Sequence, residues 1–323
     1  MKIRLLMVGV VLLAIGVATV SSGGVSFGFL QAFGGFGIGR QVFDRPVDVV
    51  QDRNENFYVL DQGNNRVQVL DRRGNYLREW GRSGIAPRAF DNPSAIVLES
   101  KTELLYVVDT KNYRLQVFDR DGELAKKAPD GRALTNPIGS LGSGSGEFNT
   151  PKDVALDRKA NIYVADTGNN RIQKFDPTGK FLVEWGKYSR RRAVEISTPM
   201  SVAYSDEGFG YLYVLNFPDC RVLKYDLEGI LMREWPMHRR GEDARCGPSR
   251  IRIEPRKYTV YIADTENDRV LLFDKDGEPL GDLSGGQVPF RKPEGVFISD
   301  QWGEQAVVAD TGNNLMQIFR RER

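Results

Sequence analysis

One thirteen-residue pattern recurs along this chain of 323 residues and constrains its fold more than any other feature. Residues 164–176 read VADTGNNRIQKFD, and residues 214–226 carry a degenerate copy, VLNFPDCRVLKYD. The first acidic position of the pattern, or its replacement, falls at Asp61, Asp109, Asp166, Asn216, Asp264 and Asp310. The steps are 48, 57, 50, 48 and 46 residues, which indicates a repeat architecture rather than one isolated motif.

Each repeat contains short apolar runs separated by turn residues. The third copy shows the order: PKDVA from Pro151, NIYVAD from Asn161, RIQKFD from Arg171 and FLVEWG from Phe181. Runs of four to six residues rich in Val, Ile, Tyr and Phe, bounded by Gly, Asn, Asp and Pro, predict strands. Four strands in about 45 residues are typical of one propeller blade. Six copies therefore predict an all-β, six-bladed β-propeller.

The same residues resemble a known family. The pattern P-x-x-V-A, followed by Y-V-A-D-T-x-N-N-R-I-Q-x-F-D and a glycine turn, is similar to the NHL repeat. The resemblance implies a six-bladed NHL β-propeller over residues 25–323, of a bacterial, membrane-anchored or exported kind. Because propellers host many functions, it implies the fold more than an activity.

The ring is expected to close with a strand from the N-terminus. The last copy ends after its third run, whereas residues 29–46 match residues 76–93 at a constant offset of 47. In that alignment Phe33 stands opposite Trp80, which ends the fourth run of the first repeat. We therefore predict that this segment pairs with the last repeat and covers its open edge.

The first 24 residues differ from the rest. Lys2 and Arg4 precede an apolar run over residues 5–20. As a helix this run is about 24 Å long, and residues 21–24 extend it toward the bilayer core of about 30 Å. The sequence predicts an uncleaved signal anchor that crosses the membrane through residues 5–24, with cleavage near residues 18–22 as the alternative. The flanking cations place the propeller on the extracytoplasmic, periplasmic side.

Charge argues against one class of partner. Removing Lys2 and Arg4 from the 45 basic residues leaves 43, which equals the 43 acidic residues. A formally neutral propeller is not expected to bind nucleic acid through a broadly basic surface.

The repeated Asp and Arg are interpreted as structural fasteners. A ring of charged ligands on one face is the functional alternative, but pairs repeated in every unit usually serve contacts within or between units. The Asn-rich segment between them predicts a two-residue turn with left-handed backbone.

Two positions after each repeat's opening proline, the channel-lining residues are Asp48, Ala95, Asp153, Ser201, Arg250 and Gly295. Calcium-dependent lactonases of six-bladed form use a carboxylate and amide ring in this channel. Here Arg250 stands beside Asp48 and Asp153 and repels a cation, so a salt-bridged channel is the preferred interpretation. With His238 as the single histidine, we expect no metal, no cofactor and no catalysis.

Two cysteines are present, Cys220 in the degenerate turn and Cys246 shortly before Pro248. Export implies an oxidising compartment, where paired cysteines usually bond. A disulfide is plausible because both positions belong to the same face of a propeller, although sequence alone gives no distance.

These observations favour an interaction scaffold, an accessory subunit bound to a membrane protein or a membrane-associated complex. The alternatives are a small-molecule or glycan sensor, or a calcium-dependent lactonase-like hydrolase, each using the central channel. Repeats that keep a frame and vary a loop often use the loop for recognition. The predicted partner-binding residues are the divergent ones on that face: Gln62, Lys111, Tyr113, Phe217, Pro218, Glu266 and Asp268.

Overall fold

Six antiparallel sheets make up the fold. A computed structural model describes residues 25–186, 196–217, 219–238, 241–299 and 305–322. Blade one contains β2 Pro46–Gln51, β3 Phe57–Asp61, β4 Arg66–Leu70 and β5 Tyr76–Trp80. Blade two contains β6 Pro93–Leu98, β7 Leu105–Asp109 and β8 Arg114–Phe118. Blade three contains β9 Asp153–Leu156, β10 Ile162–Asp166, β11 Arg171–Phe175 and β12 Phe181–Gly186. Blade four contains β13 Pro199–Ser205, β14 Tyr211–Asn216, β15 Arg221–Tyr225 and β16 Leu231–Pro236. Blade five contains β17 Arg250–Ile253, β18 Val260–Asp264, β19 Arg269–Phe273 and β20 Pro279–Leu283. Blade six contains β21 Gly295–Ser299, β22 Gln305–Asp310, β23 Leu315–Arg321 and the N-terminal strand β1 Phe27–Gly34.

The first strands of the six blades surround a central channel. Each of β2, β6, β9, β13, β17 and β21 contacts the first strand of both neighbouring blades, and the contact of β21 with β2 closes the ring. The predicted six-bladed propeller is confirmed.

The N-terminal strand completes blade six. β1 pairs antiparallel with β23, so that Phe33 stands opposite Met316 and Phe27 opposite Arg321. The predicted closure is therefore confirmed. Because β23 leaves the Asn-rich turn at Leu315, β1 begins at the other end of the blade, close to Arg321.

The propeller has two faces. We call the face that carries the Asn-rich turns and the connections between blades the upper face, and the opposite one the lower face. Strands one and two, and strands three and four, are joined by turns on the lower face. β1 starts on the lower face and runs to the upper face.

Blade two departs from the predicted four strands. Its sheet contains β6, β7 and β8 only. Ile138 bridges to Leu115 on the outer edge, and the side-chain amide of Asn136 bonds both the N–H and the C=O of Val117. One side chain and two bridges, the second between Phe118 and Leu124, thus satisfy an edge that a fourth strand covers elsewhere.

The Asn-rich turn is longer than predicted. In blade one it is a single 3-10 turn over Gln62–Asn64, followed by Asn65 in the left-handed region with φ 50°. The same conformation occurs at Tyr113, Asn170 and Asp268. Four residues rather than two therefore make the turn, because one helical turn precedes the left-handed residue.

Aromatic side chains that end the fourth strands join neighbouring blades. Trp80 lies against Gly122 of blade two, and Trp185 lies against Gly229 of blade four. Phe33, the equivalent residue of β1, lies against Gly74 of blade one. These glycines have φ near +83°, and a Cβ there would fall within 3 Å of the ring.

The predicted membrane anchor, residues 5–24, lies outside the described residues. From residue 25 onward, the described part of the chain has no helix with the length and apolar character needed to cross a bilayer.

Candidate functional site

The repeated Asp is a hydrogen-bond hub within its own blade. Oδ2 of Asp166 accepts bonds from Arg171 Nε at 2.7 Å and from Asn169 Nδ2 at 2.8 Å. Its Oδ1 accepts the backbone N–H of Asn149, in the segment that leads into the same blade. Asp166 is fully buried. The Asp and Arg therefore hold strands two and three and the lead-in segment together, and they are not open to a ligand.

Burial makes the carboxylates of Asp61 and Asp109 costly to ionise. Burial raises the pKa of Asp61 above its ordinary value, although hydrogen bonds from Asn64, Asp44 and Arg66 oppose the shift. The pKa of Asp109 is raised for the same reason. The repeat itself supplies the hydrogen-bond donors, so each of these buried carboxylates has its partners without a bound ligand.

The residue after the repeated Asp links consecutive blades. The hydroxyls of Thr110 and Thr167 donate to the carbonyl oxygens of Pro151 and Pro199, which open the following blades. In blade one, Nε2 of Gln62 donates to Pro93 O at 3.1 Å. The structure thus places Gln62, a predicted partner-binding residue, in the link between blades.

The left-handed turn residue makes a second link to the next blade. Asn65 Oδ1 accepts the N–H of Asn92, and Asp268 Oδ1 accepts the N–H of Lys292. The side chain of Asp268 is exposed, but its carboxylate already accepts this hydrogen bond within the protein. In blade four Cys220 stands at this position, and the structure joins it to Cys246 in a disulfide.

The remaining predicted partner-binding residues of the described chain lie in two separate places, one in blade two and one at the boundary of blades four and five. Lys111 is exposed, with its Nζ 4.0 Å from Asp91, whereas Tyr113 is half-buried against the core of blades two and three. Phe217 and Glu266 line one cavity of about 540 Å³ at the boundary of blades four and five. Pro218 lies outside the described residues.

The predicted channel residues do come together. Asp153 Oδ1 lies 2.8 Å from Nη1 of Arg250, and Asp48 Oδ2 lies 3.6 Å from its Nη2. Arg252 adds contacts of 3.1 Å to Asp48 and 3.0 Å to Asp153. Two guanidiniums and two carboxylates thus cross the channel as a neutral, buried cluster, which we call the channel cluster.

Other blades support the channel cluster. The hydroxyl of Ser201 donates to Asp153, and the backbone N–H of Ile96 donates to Asp48 at 3.1 Å. Arg250 donates to the carbonyl oxygen of Ser94. Five of the six blades therefore contribute to it. Sequence reasoning missed Arg252, although strand alternation puts it on the same side of β17 as Arg250.

The pKa values of the two carboxylates in the channel cluster shift in opposite directions. Burial raises the pKa of Asp153, but Arg250 and Arg252 outweigh burial and hold it below its ordinary value. For Asp48 burial outweighs the same two arginines, and the pKa is raised. Asp153 is therefore the firmer anion of the pair.

Across the residues that the structure describes, no three His, Cys, Asp or Glu side chains are grouped as metal ligands would be. His238 Nε2 lies 3.1 Å from Asp264 Oδ2. In blade three the side-chain amide of Gln173 bonds the equivalent Oδ2 of Asp166, and in blade six Gln317 bonds that of Asp310. His238 therefore takes the position on the repeated Asp that a glutamine amide takes in those blades.

Comparison with known proteins agrees with the geometry. Six sheets around a channel, closed by the N-terminal strand, define a six-bladed β-propeller. The NHL repeat family model matches residues 43–70 and 148–175. The chain is therefore an NHL-repeat protein of the six-bladed propeller class.

Two curated relatives share parts of it. Protein brain tumor from Drosophila melanogaster is 27% identical over 143 residues, which are 44% of this chain and 13% of the relative. Human NHL repeat-containing protein 3 is 38% identical over 71 residues, 22% of this chain and 19% of the relative. The chain thus spans less than a fifth of the length of either.

Solved structures share the fold. A gluconolactonase from Xanthomonas campestris superposes with a TM-score of 0.62 at 13% identity, covering 99% of both chains. Virginiamycin B lyase from Staphylococcus aureus gives 0.57 at 12% identity, covering 86% of this chain and 83% of the lyase. At these identities the likeness concerns the fold alone.

Proposed function

We propose that this protein is a non-catalytic interaction scaffold, anchored in a membrane by its N-terminal leader, with the propeller on the extracytoplasmic side. In this proposal it is an accessory subunit that binds a membrane protein or a membrane-associated complex. The NHL propeller is consistent with a role in protein interaction.

The observation that carries the proposal is the position of β1. The strand that closes the ring begins at Phe27, with only two residues between it and residue 24, and it begins on the lower face. A leader retained in the bilayer would hold the lower face toward the membrane on a tether too short to let the propeller roam. The upper face, with its variable turns, would then point toward a partner.

Two further features support the proposal. The disulfide between Cys220 and Cys246 suits an oxidising, extracytoplasmic compartment. In the channel, where a lactonase-like calcium site would be expected, Asp48 and Asp153 are already neutralised by Arg250 and Arg252. A calcium ion there would meet two guanidiniums.

Purification in a mild detergent tests the proposal. A membrane protein should co-purify at fixed stoichiometry and resist salt that releases loosely bound proteins. A preparation that is alone, monomeric and fully released by salt would contradict it. Stoichiometric calcium in the purified protein, measured by elemental analysis, would support the lactonase-like alternative instead.

A further inference from the structure

A cavity of about 330 Å³ opens at the lower mouth of the channel, on the far side of the channel cluster from the upper face. Its volume lies at the small end of the range for small-molecule sites. The first strands of blades one, two, four, five and six, with the turns that follow them, contribute its lining. Val50, Val97, Ile253 and Phe297 give it apolar walls, and Arg252 lies among them.

The charges around this cavity cancel. Its lining includes two carboxylates and two guanidiniums, those of Asp52, Glu103, Arg53 and Arg252. Each already has partners: Asp52 accepts from Asn54 and Asn56, and Glu103 pairs with Arg120 at 3.0 Å. The formal charges of the lining therefore sum to zero, which favours neither an anion nor a cation.

Two polar groups of the lining remain unpaired. Gln51 is 8% exposed, and its buried Oε1 has no hydrogen-bond partner among the residues that the structure describes. Arg252 uses its Nη1 and Nη2 groups on Asp48, Asp153 and the carbonyl of Ile251, and no hydrogen bond joins its Nε–H to another described residue. One acceptor and one donor are thus left over beside the apolar walls of the cavity.

Comparison between blades shows that the glutamine is not required by the strand. The residue five positions after the opening proline is Gln51 in blade one, Leu98 in blade two and Leu156 in blade three. Burying an amide oxygen without a partner is unfavourable. A bound ligand that donates a hydrogen bond to Gln51 would remove that penalty.

We propose that the lower mouth binds a small, uncharged, ring-containing molecule that carries both a hydrogen-bond donor and an acceptor, such as a primary amide. The ring occupies the apolar walls, the donor reaches Gln51 Oε1, and the acceptor takes the Nε–H of Arg252. This site is independent of the scaffold role, since it lies on the opposite face from the variable turns.

Three probes of one size test the charge preference: benzamide, benzoate and benzylammonium, which are neutral, negative and positive. Binding to the full-length chain in detergent is measured by saturation-transfer NMR titration. Benzamide should bind at least fivefold more tightly than either ion. Absence of benzamide binding, or equal or tighter binding of an ion, would overturn the proposal.

Variants then locate the site. Gln51→Leu places in blade one the residue that blades two and three already carry, and it should weaken benzamide binding at least fivefold. Val97→Phe should block the cavity, whereas Leu156→Phe adds the same ring in blade three, which contributes no lining residue, and should leave binding unchanged. Unaltered binding in the Gln51→Leu protein would refute the assignment even if Val97→Phe fails to fold.

Discussion

The sulfur atoms of Cys220 and Cys246 are bonded across the boundary of blades four and five, with their Cα atoms 5.7 Å apart. Asn65 and Asn170, at the position equivalent to Cys220, instead accept a backbone N–H just before the next blade. Phe217, three residues before Cys220, stands where blade three has Thr167, whose hydroxyl donates to the carbonyl oxygen of the proline that opens the next blade. The disulfide thus compensates for two missing links at one boundary.

Loss of this disulfide should therefore destabilise the fold. The two cysteines are 26 residues apart, and closing a loop of that size stabilises a protein by about 3 kcal/mol. The double variant Cys220→Ser, Cys246→Ser should lose about that much unfolding free energy in urea. Reduction of the native protein should have the same effect. A loss under 1 kcal/mol in both experiments would show that other contacts hold the boundary.

If the repeated Asp and Arg are structural fasteners, replacing Arg171 should lower the unfolding free energy more than replacing Arg221. Arg171→Leu leaves Asp166 buried without its guanidinium and should cost about 3–5 kcal/mol. Arg221→Leu is the matched control, since blade four has the neutral Asn216 and the Nε of Arg221 is already unpaired. Its half-exposed pair with Glu234 is worth about 1 kcal/mol or less. Equal losses in urea denaturation would contradict the interpretation.

Ring closure by β1 predicts a large effect for one phenylalanine. Phe33 is 4% exposed and packs on Gly74 and Phe57, so Phe33→Ala should cost about 3–4 kcal/mol. Phe36, three residues later, is 77% exposed, and Phe36→Ala should change stability by less than about 0.5 kcal/mol. Urea denaturation and proteolysis of the N-terminal strand compare the two. If both variants behave like the parent, β1 is not needed to close the ring.

A lower-face ion network should make stability depend on pH. Burial raises the pKa of Glu207, but Lys275 at 2.6 Å and Lys224 at 2.9 Å outweigh burial and lower it. A lowered carboxyl pKa stabilises the fold above the ordinary value of 4.5, and this contribution disappears as pH falls through the folded-state pKa.

Glu207→Gln should therefore lower the unfolding free energy by about 1–2 kcal/mol at pH 7. The difference from the parent should shrink as the pH falls below 4.5 and through the lowered pKa of Glu207, where the parent carboxyl becomes protonated. Urea denaturation at several pH values measures this. A difference that does not shrink even at the lowest pH at which the protein still unfolds cooperatively would mean that the charge of Glu207 contributes nothing.

Much of the fold follows from local sequence because each blade repeats the same bonds. The Asp, Arg and turn residues satisfy one another within a few positions, so six copies predicted six blades. The offset between residues 29–46 and 76–93 likewise predicted the closing strand. Blade two was harder, because its edge is covered by Asn136 and Ile138, which lie in a long insertion without a repeat pattern.

The channel and its lower mouth show where sequence reasoning ends. Asp48, Asp153 and Arg250 were found from their place after each opening proline, whereas Arg252 required knowing how far its side chain reaches across the channel. Gln62 was interpreted as a divergent surface residue, yet it makes the link that a threonine makes in other blades. The longer side chain of Gln62 makes the same hydrogen bond to the opening proline of the next blade as the threonine does. Comparing the residue types of the repeats does not reveal this equivalence.

Site-specific photo-crosslinking tests the scaffold proposal most directly. A photoreactive amino acid is placed at Lys111 or Glu266 on the upper face, and at Lys159 on the lower face as the control, all three being exposed. Irradiation of intact membranes should join the two upper-face proteins to one and the same membrane protein, with little product from Lys159. Products from Lys159 alone, or none from any position, would contradict the account.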